Sequence, residues 1–149
     1  PWLTRKGWPP GPVAEVTDLA EGLAWADCIS IHVPKADRPT LGADEIARMK
    51  PGVILANTAR GGVVDEAALT EALISGHVGA AGLDVFAEEP PAGHIPLFDL
   101  PNAVLSPHIA GLTAECAARM AVASIENAVN FLAGTIDPNL IVNPDFAHV

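Results

Sequence analysis

One arginine, one glutamate and one histidine in this chain are of the types that could act together on a small acid. Arg60 lies in the segment 57–65 (NTARGGVVD), Glu89 precedes a proline, and His108 follows one. An arginine can hold a carboxylate with two parallel hydrogen bonds. An imidazole can move a proton near neutral pH, and a carboxylate can orient its ring and favour its charged form. Together they suit a reaction that holds an anionic substrate while a proton moves.

Each of these residues follows a short apolar run that we interpret as a buried strand. Because helical stretches separate the runs, the pattern predicts a parallel sheet with helices on both faces. Right-handed crossovers bring the carboxyl ends of such strands to one edge, where ligands bind, so the three side chains are expected to converge there. The predicted strands are 28–33, 53–57, 80–85 and 103–105, with a further strand near 13–16.

The helices that connect these strands carry recognisable start and stop signals. Asp65 is placed to cap a helix over 66–75 that ends at Gly76, and Thr113 is placed to cap the longest helix, which Gly134 stops. Thr17 or Asp18 can cap a short first helix, and residues 43–49 form another.

Composition excludes several classes of function. The chain has 149 residues and a net charge of −10, which argues against a nucleic-acid groove and against a patch for a membrane surface. No apolar run approaches the roughly 20 residues that a membrane span needs. We interpret Cys28 and Cys116 as two buried thiols in a reducing compartment, which indicates a cytoplasmic protein. No cluster of cysteines and histidines suggests a metal site.

Each candidate residue also has a structural interpretation. Taken alone, Arg60 could be an arginine that stabilises a turn, His108 a hydrogen-bonded loop histidine, and Glu89 a solvated acid. Asp84 is harder to dismiss, because a buried strand rarely keeps a carboxylate without a partner. A helix N-terminus, a backbone amide or a ligand amide could supply that partner. His32 lies near a strand end, and its position favours a structural or backbone-lining role.

Several motifs in a fixed order carry a resemblance to a known family. They resemble the cofactor domain of the D-isomer-specific 2-hydroxyacid dehydrogenases, which include D-3-phosphoglycerate dehydrogenase and glyoxylate/hydroxypyruvate reductase. The resemblance covers about residues 13–134, and motifs in a shared order are more specific than one short pattern. The motifs are ADC at 26–28, HVP at 32–34, MKPG at 49–52, NTARG at 57–61, GLDVF at 82–86, EP at 89–90 and SPHIAG at 106–111.

The resemblance implies an enzyme that transfers hydride between NAD(H) and a D-2-hydroxy acid or 2-oxo acid, similar to phosphoglycerate dehydrogenase. It implies that His108 exchanges a proton with the substrate oxygen, that Glu89 pairs with His108, and that Arg60 grips the 2-oxo acid. It also implies that Asp84 receives the nicotinamide amide, and that the protein is a homodimer. The implied cofactor-binding residues are His32, Pro34, Thr58, Ala59, Arg60, Asp84, His108 and Gly111.

The fold implied by the resemblance is α/β, an incomplete doubly wound (Rossmann) parallel sheet with covering helices. The glycine-rich turn G-x-G-x-x-G that cradles a pyrophosphate does not occur in this sequence. We therefore expect its first two strands and that turn to be absent, with residues 1–134 as a partial dinucleotide-binding domain. Residues 135–149 are expected to form a return arm toward a missing substrate domain.

Such a piece should bind dinucleotide poorly and be inactive alone. NADP is not excluded as the cofactor, because Arg5 and Lys6 could meet a 2′-phosphate. Two other classes also stay open. One is a dehydrogenase-like corepressor or regulatory NAD-binding module, which keeps the three residues but acts through partners. The other is an inert structural fragment. Turnover of 2-oxo acids separates the enzyme from both.

Overall fold

The computed structural model describes residues 16–143, in which strands alternate with helices. The chain divides into two compact units, one up to Ile109 and the other from Ala110, and all four strands belong to the first. The elements are α1 (Leu19–Trp25), β1 (Cys28–Ile31), α2 (Ala43–Ala47), β2 (Val53–Asn57), α3 (Glu66–Ser75), β3 (Val78–Leu83), a 3-10 helix (Pro96–Asp99), β4 (Ala103–Leu105), α4 (Ala114–Leu132) and a second 3-10 helix (Pro138–Leu140).

The four strands form one parallel sheet in the order β1-β2-β3-β4. The α/β class and the parallel sheet are therefore confirmed, and β2 and β4 have the predicted bounds. β1 is two residues shorter than predicted, because Ile31 is paired with Asn57, where β2 ends. β3 begins two residues earlier than predicted, because Val78 pairs with the first residue of β2, Val53. Pairing with a neighbour thus set the strand ends that the apolar pattern placed wrongly.

The core lies on one face of this sheet, where residues of α2 and α3 pack. Leu55 of β2, Leu69 of α3 and Val78 of β3 are fully buried. Alternate residues of the strands point to the other face, and Ile54 and Val104 there are 51% and 75% exposed. Within the first compact unit, the described elements therefore cover one face of the sheet. Cover on the other face stays a prediction.

The predicted helix signals act as expected at α1, α3 and α4, whereas α2 ends at Ala47, two residues before its predicted end. The carboxylate of Asp65 accepts hydrogen bonds from the backbone N–H groups of the second and third residues of α3, and Gly76 ends that helix at a φ of 76°. Thr113 caps α4 through the N–H of Cys116. Of the two candidate caps for α1, Asp18 is the one that accepts the N–H of Ala20.

The prediction that both cysteines are buried is wrong. Cys28 is exposed, and Cys116 is only partly buried. Cys28 starts the edge strand β1, in which Ile31 is the residue that faces the core, so apolar neighbours in sequence do not bury the thiol.

Some sequence-based expectations lie outside the described residues. These are the phosphate contacts of Arg5 and Lys6, most of the strand near 13–16, and the end of the return arm. Within 16–143, no helix has the length and apolar character to cross a bilayer. In the same part of the chain, no group of three or more His, Cys, Asp or Glu side chains is arranged to hold a metal ion.

Candidate active site

The loop that carries Arg60 is fixed by Asn57, the last residue of β2. The Asn57 side chain is buried, its Nδ2 donates to the carbonyl oxygen of Arg60 at 3.0 Å, and its Oδ1 accepts the N–H of Ala59 at 3.1 Å. An asparagine that bonds nearby backbone in this way folds a turn back on itself. This role of Asn57 was not predicted, although a polar residue at the end of an apolar strand is a signal for it.

The Arg60 loop rests directly on the loop that follows β3. A Cβ atom built on Gly61 would lie 1.6 Å from the carbonyl oxygen of Phe86 and 2.2 Å from its carbonyl carbon. Two backbones can approach this closely only where no side chain intervenes. From the other side Glu66, the first residue of α3, accepts the N–H of Ala87. These contacts hold the start of the 86–89 loop, and no pattern in the sequence predicts either of them.

The 86–89 loop presents Glu89 to His108. Glu89 Oε2 lies 2.7 Å from His108 Nδ1, and Glu89 Oε1 accepts the N–H of Phe86 at 2.9 Å. Because an ionised carboxylate only accepts hydrogen bonds, Nδ1 is the donor of this pair. Nε2 is then the ring atom through which His108 can exchange a proton with a substrate. The pair is accessible, since the two side chains are 51% (His108) and 34% (Glu89) exposed.

Both hydrogen bonds to Glu89 favour its ionised form. The hydrogen bond from His108, followed by that from the Phe86 N–H, holds the pKa of Glu89 below its usual value. A lowered pKa in the folded protein means that the pair persists at neutral pH and is lost as the pH falls through that lowered value. His108 therefore has an ionised partner throughout the neutral range.

The turn that bears His108 is supported by Asp84, the residue after β3. The N–H of His108 donates to the carbonyl oxygen of Asp84 at 2.7 Å. Asp84 Oδ1 accepts the hydroxyl of Ser106 at 2.6 Å and the N–H of Ile109 at 2.8 Å, and the residue is 3% exposed. A backbone amide and a hydroxyl thus explain the carboxylate in this strand. His108 itself has a φ of 55°, in the left-handed region that a residue with a side chain seldom adopts.

Arg60, Glu89 and His108 all line one cavity, which we call the Arg60–His108 cavity. The convergence expected from the strand order is therefore present in the structure. Its volume is about 190 Å³, and its other lining residues are Lys35, Gly61, Phe86 and Ala87. A larger cavity of about 560 Å³ shares Glu89 and His108 and is otherwise mainly apolar, with Pro90, Phe98 and Leu105 among its walls.

A second opening, the His32 cleft, lies past the ends of β1 and β2. It has a volume of about 500 Å³ and shares Lys35 and Arg60 with the Arg60–His108 cavity; His32, Val33, Pro34 and Ala59 complete its lining. Small apolar walls with two cations at one end suit a flat ring that carries charged groups, such as part of a nucleotide. The cleft thus contains several of the predicted cofactor-binding residues.

The remaining predicted cofactor-binding residues are placed differently. Thr58 is exposed and is not among the residues lining these three cavities. Asp84 is buried beneath the His108 turn. Gly111 belongs to the second compact unit, shortly before α4. The ring of His32 is hydrogen-bonded to Ser30 Oγ at 2.8 Å.

Known proteins share this arrangement of sequence and fold. The family described as "D-isomer specific 2-hydroxyacid dehydrogenase, NAD binding domain" matches residues 11–110. D-3-phosphoglycerate dehydrogenase of Mycobacterium bovis is 45% identical over 129 residues, which are 85% of this chain and 24% of that protein. Glyoxylate/hydroxypyruvate reductase B of Pectobacterium atrosepticum is also 45% identical over 129 residues, 85% of this chain and 40% of the relative.

Solved structures of 2-hydroxyacid dehydrogenases have a similar fold. The crystal structure of a D-lactate dehydrogenase from Aquifex aeolicus, complexed with NAD and lactic acid, superimposes with a TM-score of 0.72 at 32% identity. The match covers 80% of this chain and 41% of that one. The chain therefore spans less than half the length of the relatives that it matches.

Proposed function

Because the chain belongs to the D-isomer specific 2-hydroxyacid dehydrogenase family through its NAD-binding domain, we propose that the complete protein transfers hydride between NAD(H) and a D-2-hydroxy acid or its 2-oxo acid. We propose an activity similar to that of phosphoglycerate dehydrogenase or hydroxypyruvate reductase. One observation carries the proposal: the His108–Glu89 pair, closed at 2.7 Å, lines the same cavity as Arg60.

Arg60 binds the substrate carboxylate in this proposal. Its Nη1 donates to the carbonyl oxygen of Ala59 at 2.6 Å, which anchors the guanidinium beside its own backbone. No carboxylate in the described part of the chain forms an ion pair with it. A guanidinium has five N–H donors, so enough remain to hold a carboxylate through two parallel bonds.

His108 moves the proton. In the direction of reduction, its imidazolium donates a proton to the carbonyl oxygen of the substrate; in the direction of oxidation, the neutral ring removes a proton from the hydroxyl. Glu89 orients the ring through Nδ1 and stabilises the charge that the ring gains during oxidation. The cofactor supplies the hydride when it is bound.

The cofactor proposed is NAD, with NADP as the alternative. His32, Pro34 and Ala59 hold it in the His32 cleft together with Arg60, and the proposed cofactor-binding residues also include Thr58, Asp84, His108 and Gly111. The family match to an NAD-binding domain supports this assignment, as does a structural relative crystallised with NAD. We further propose a cytoplasmic homodimer in which the 149 residues alone bind dinucleotide poorly and have no turnover.

The test is turnover of a panel of 2-oxo acids by the complete protein, followed through the loss of NADH or NADPH absorbance. We expect at least one substrate to give a kcat within the usual range of roughly 1–1000 per second. If the protein binds NADH but reduces no 2-oxo acid, the regulatory-module alternative replaces the enzyme. Tight NADH binding by the 149 residues alone, measured by calorimetry, would contradict the proposed weakness of that piece.

Replacing Glu89 by glutamine is expected to change the pH profile of the complete protein. Glutamine keeps the size of the side chain but replaces the charged carboxylate that accepts the hydrogen bond from His108 with a neutral amide. A hydrogen bond to a charged group contributes about 1.5–3 kcal/mol. We expect kcat to fall roughly ten- to hundredfold, and the acidic limb of the profile for hydroxy-acid oxidation to move to lower pH. Glu88→Gln, one residue away, is the control. An unchanged profile in Glu89→Gln would leave Glu89 with a structural role alone.

A further inference from the structure

Two cations line the Arg60–His108 cavity, although the chain as a whole has a net charge of −10. Lys35 follows β1 and Arg60 follows β2, strands whose ends pair at Ile31 and Asn57. Within residues 16–143, neither cation has an ion-pair partner. The carboxylate that lines the cavity, Glu89, is already bonded to His108 and to the Phe86 N–H. The cavity therefore has more positive charge than its own acid can balance.

The Lys35 side chain lies across the turn that carries Arg60. A Cβ atom built on Gly62 would be 3.3 Å from Lys35 Cε and 3.6 Å from Nζ. Gly62 has a φ of 75°, so its place in the turn favours glycine and leaves room for the lysine stem. A lysine commonly packs its methylene stem on such a surface while its ammonium stays at a wet site. Lys35 thus lies against the Arg60 turn and lines the cavity.

A simple 2-oxo acid has one carboxylate, which the two parallel bonds of Arg60 can hold. That substrate would leave the Lys35 ammonium without an ion-pair partner among residues 16–143. We propose that Lys35 is a specificity-determining residue that binds a second anionic group, a carboxylate or a phosphate, at the far end of the 2-oxo acid. This inference rests on the proposed function and names the class of substrate for the same site.

The test compares substrates that differ only in the second anionic group. One pair is 2-oxoglutarate and 2-oxovalerate, which differ by a terminal carboxylate; the other is hydroxypyruvate phosphate and hydroxypyruvate. The complete protein is measured as it is and as Lys35→Met and Lys35→Arg. Because a charge-assisted hydrogen bond contributes about 1.5–3 kcal/mol, Lys35→Met should raise KM roughly ten- to hundredfold for the charged member of at least one pair.

KM should rise less for the uncharged members than for the charged ones, and Lys35→Arg should retain most of the preference. The pair that responds identifies the group as a carboxylate or a phosphate. Lys50→Met is the control, because Lys50 pairs with Asp27 and lines none of the three cavities of the candidate site.

Three results would overturn the inference. An equal rise in KM for charged and uncharged substrates would make Lys35 structural, and no rise at all would remove it from binding. A rise confined to the KM of NADH or NADPH would assign Lys35 to a cofactor phosphate, through the His32 cleft that it also lines. If the unaltered protein reduces no 2-oxo acid at all, the proposed function is rejected and the inference with it; if it reduces only 2-oxo acids without a second anionic group, the inference alone is rejected.

Discussion

Glutamine in place of His108 is expected to lower kcat of the complete protein by roughly 10²- to 10⁴-fold, the usual contribution of a positioned acid or base. Glutamine is similar in size and can still donate a hydrogen bond to Glu89, but it cannot deliver a proton to the substrate oxygen. The dissociation constant for NADH should change by less than about threefold, because glutamine and the neutral imidazole of His108 carry the same charge. Steady-state kinetics and calorimetric titration with NADH measure the two effects separately.

The chain contains its own control for this substitution. His94 also pairs with a carboxylate, with its Nε2 2.8 Å from Asp99 Oδ2, and both side chains are about two-thirds exposed. His94→Gln therefore removes a comparable imidazole–carboxylate pair outside the Arg60–His108 cavity and should leave kcat unchanged. If His94→Gln and His108→Gln have equal activities, His108 is not the proton carrier.

Alanine in place of Gly61 is expected to destabilise the protein by at least about 3 kcal/mol. The added methyl group would overlap the Phe86 carbonyl at 1.6 Å and approach the Ala87 nitrogen at 2.9 Å. Since the obstructing atoms are backbone, no rotamer change relieves the overlap, and one loop must move away from the other. That movement would carry Arg60 away from Glu89, so activity should fall together with stability.

Urea denaturation measures the stability change, and the slope of the free energy against denaturant should not change while the midpoint falls. Gly82→Ala in β3 is the matched control, because a Cβ atom there would meet nothing within 4 Å. It should shift the free energy of unfolding by less than about 1 kcal/mol. A Gly61→Ala protein with wild-type stability and turnover would show that the contact between the two loops does not position the site.

The sequence predicted the meeting of Arg60, Glu89 and His108 better than it predicted how these three residues are held in place. Arg60, Glu89 and His108 could be placed at one sheet edge because strand order and crossover handedness determine which loops meet. The contacts that hold the Arg60 loop and the 86–89 loop could not be predicted in this way. The contact of Gly61 with Phe86 and the bond from Ala87 to Glu66 join residues that are far apart in sequence, and neither leaves a pattern of spacing.

The strand ends likewise divide into those set by the local sequence and those set by a partner strand. β2 and β4 are bounded by turn residues on both sides, so their limits could be read directly. The ends of β1 and β3 depend on the partner strand. Cys28 was misplaced for a related reason: alternate residues of an edge strand face opposite ways, and an apolar run does not reveal which face is covered. The contact of Lys35 with the Arg60 turn is equally a product of folding, visible only once β1 and β2 lie side by side.

The left-handed backbone of His108 places stability and the proposed proton transfer in conflict at that position. Holding a residue with a side chain in this conformation costs roughly 1–3 kcal/mol, a cost that glycine would largely avoid. Glycine at this position is therefore expected to raise stability and, because it has no imidazole, to abolish the proton transfer proposed for His108.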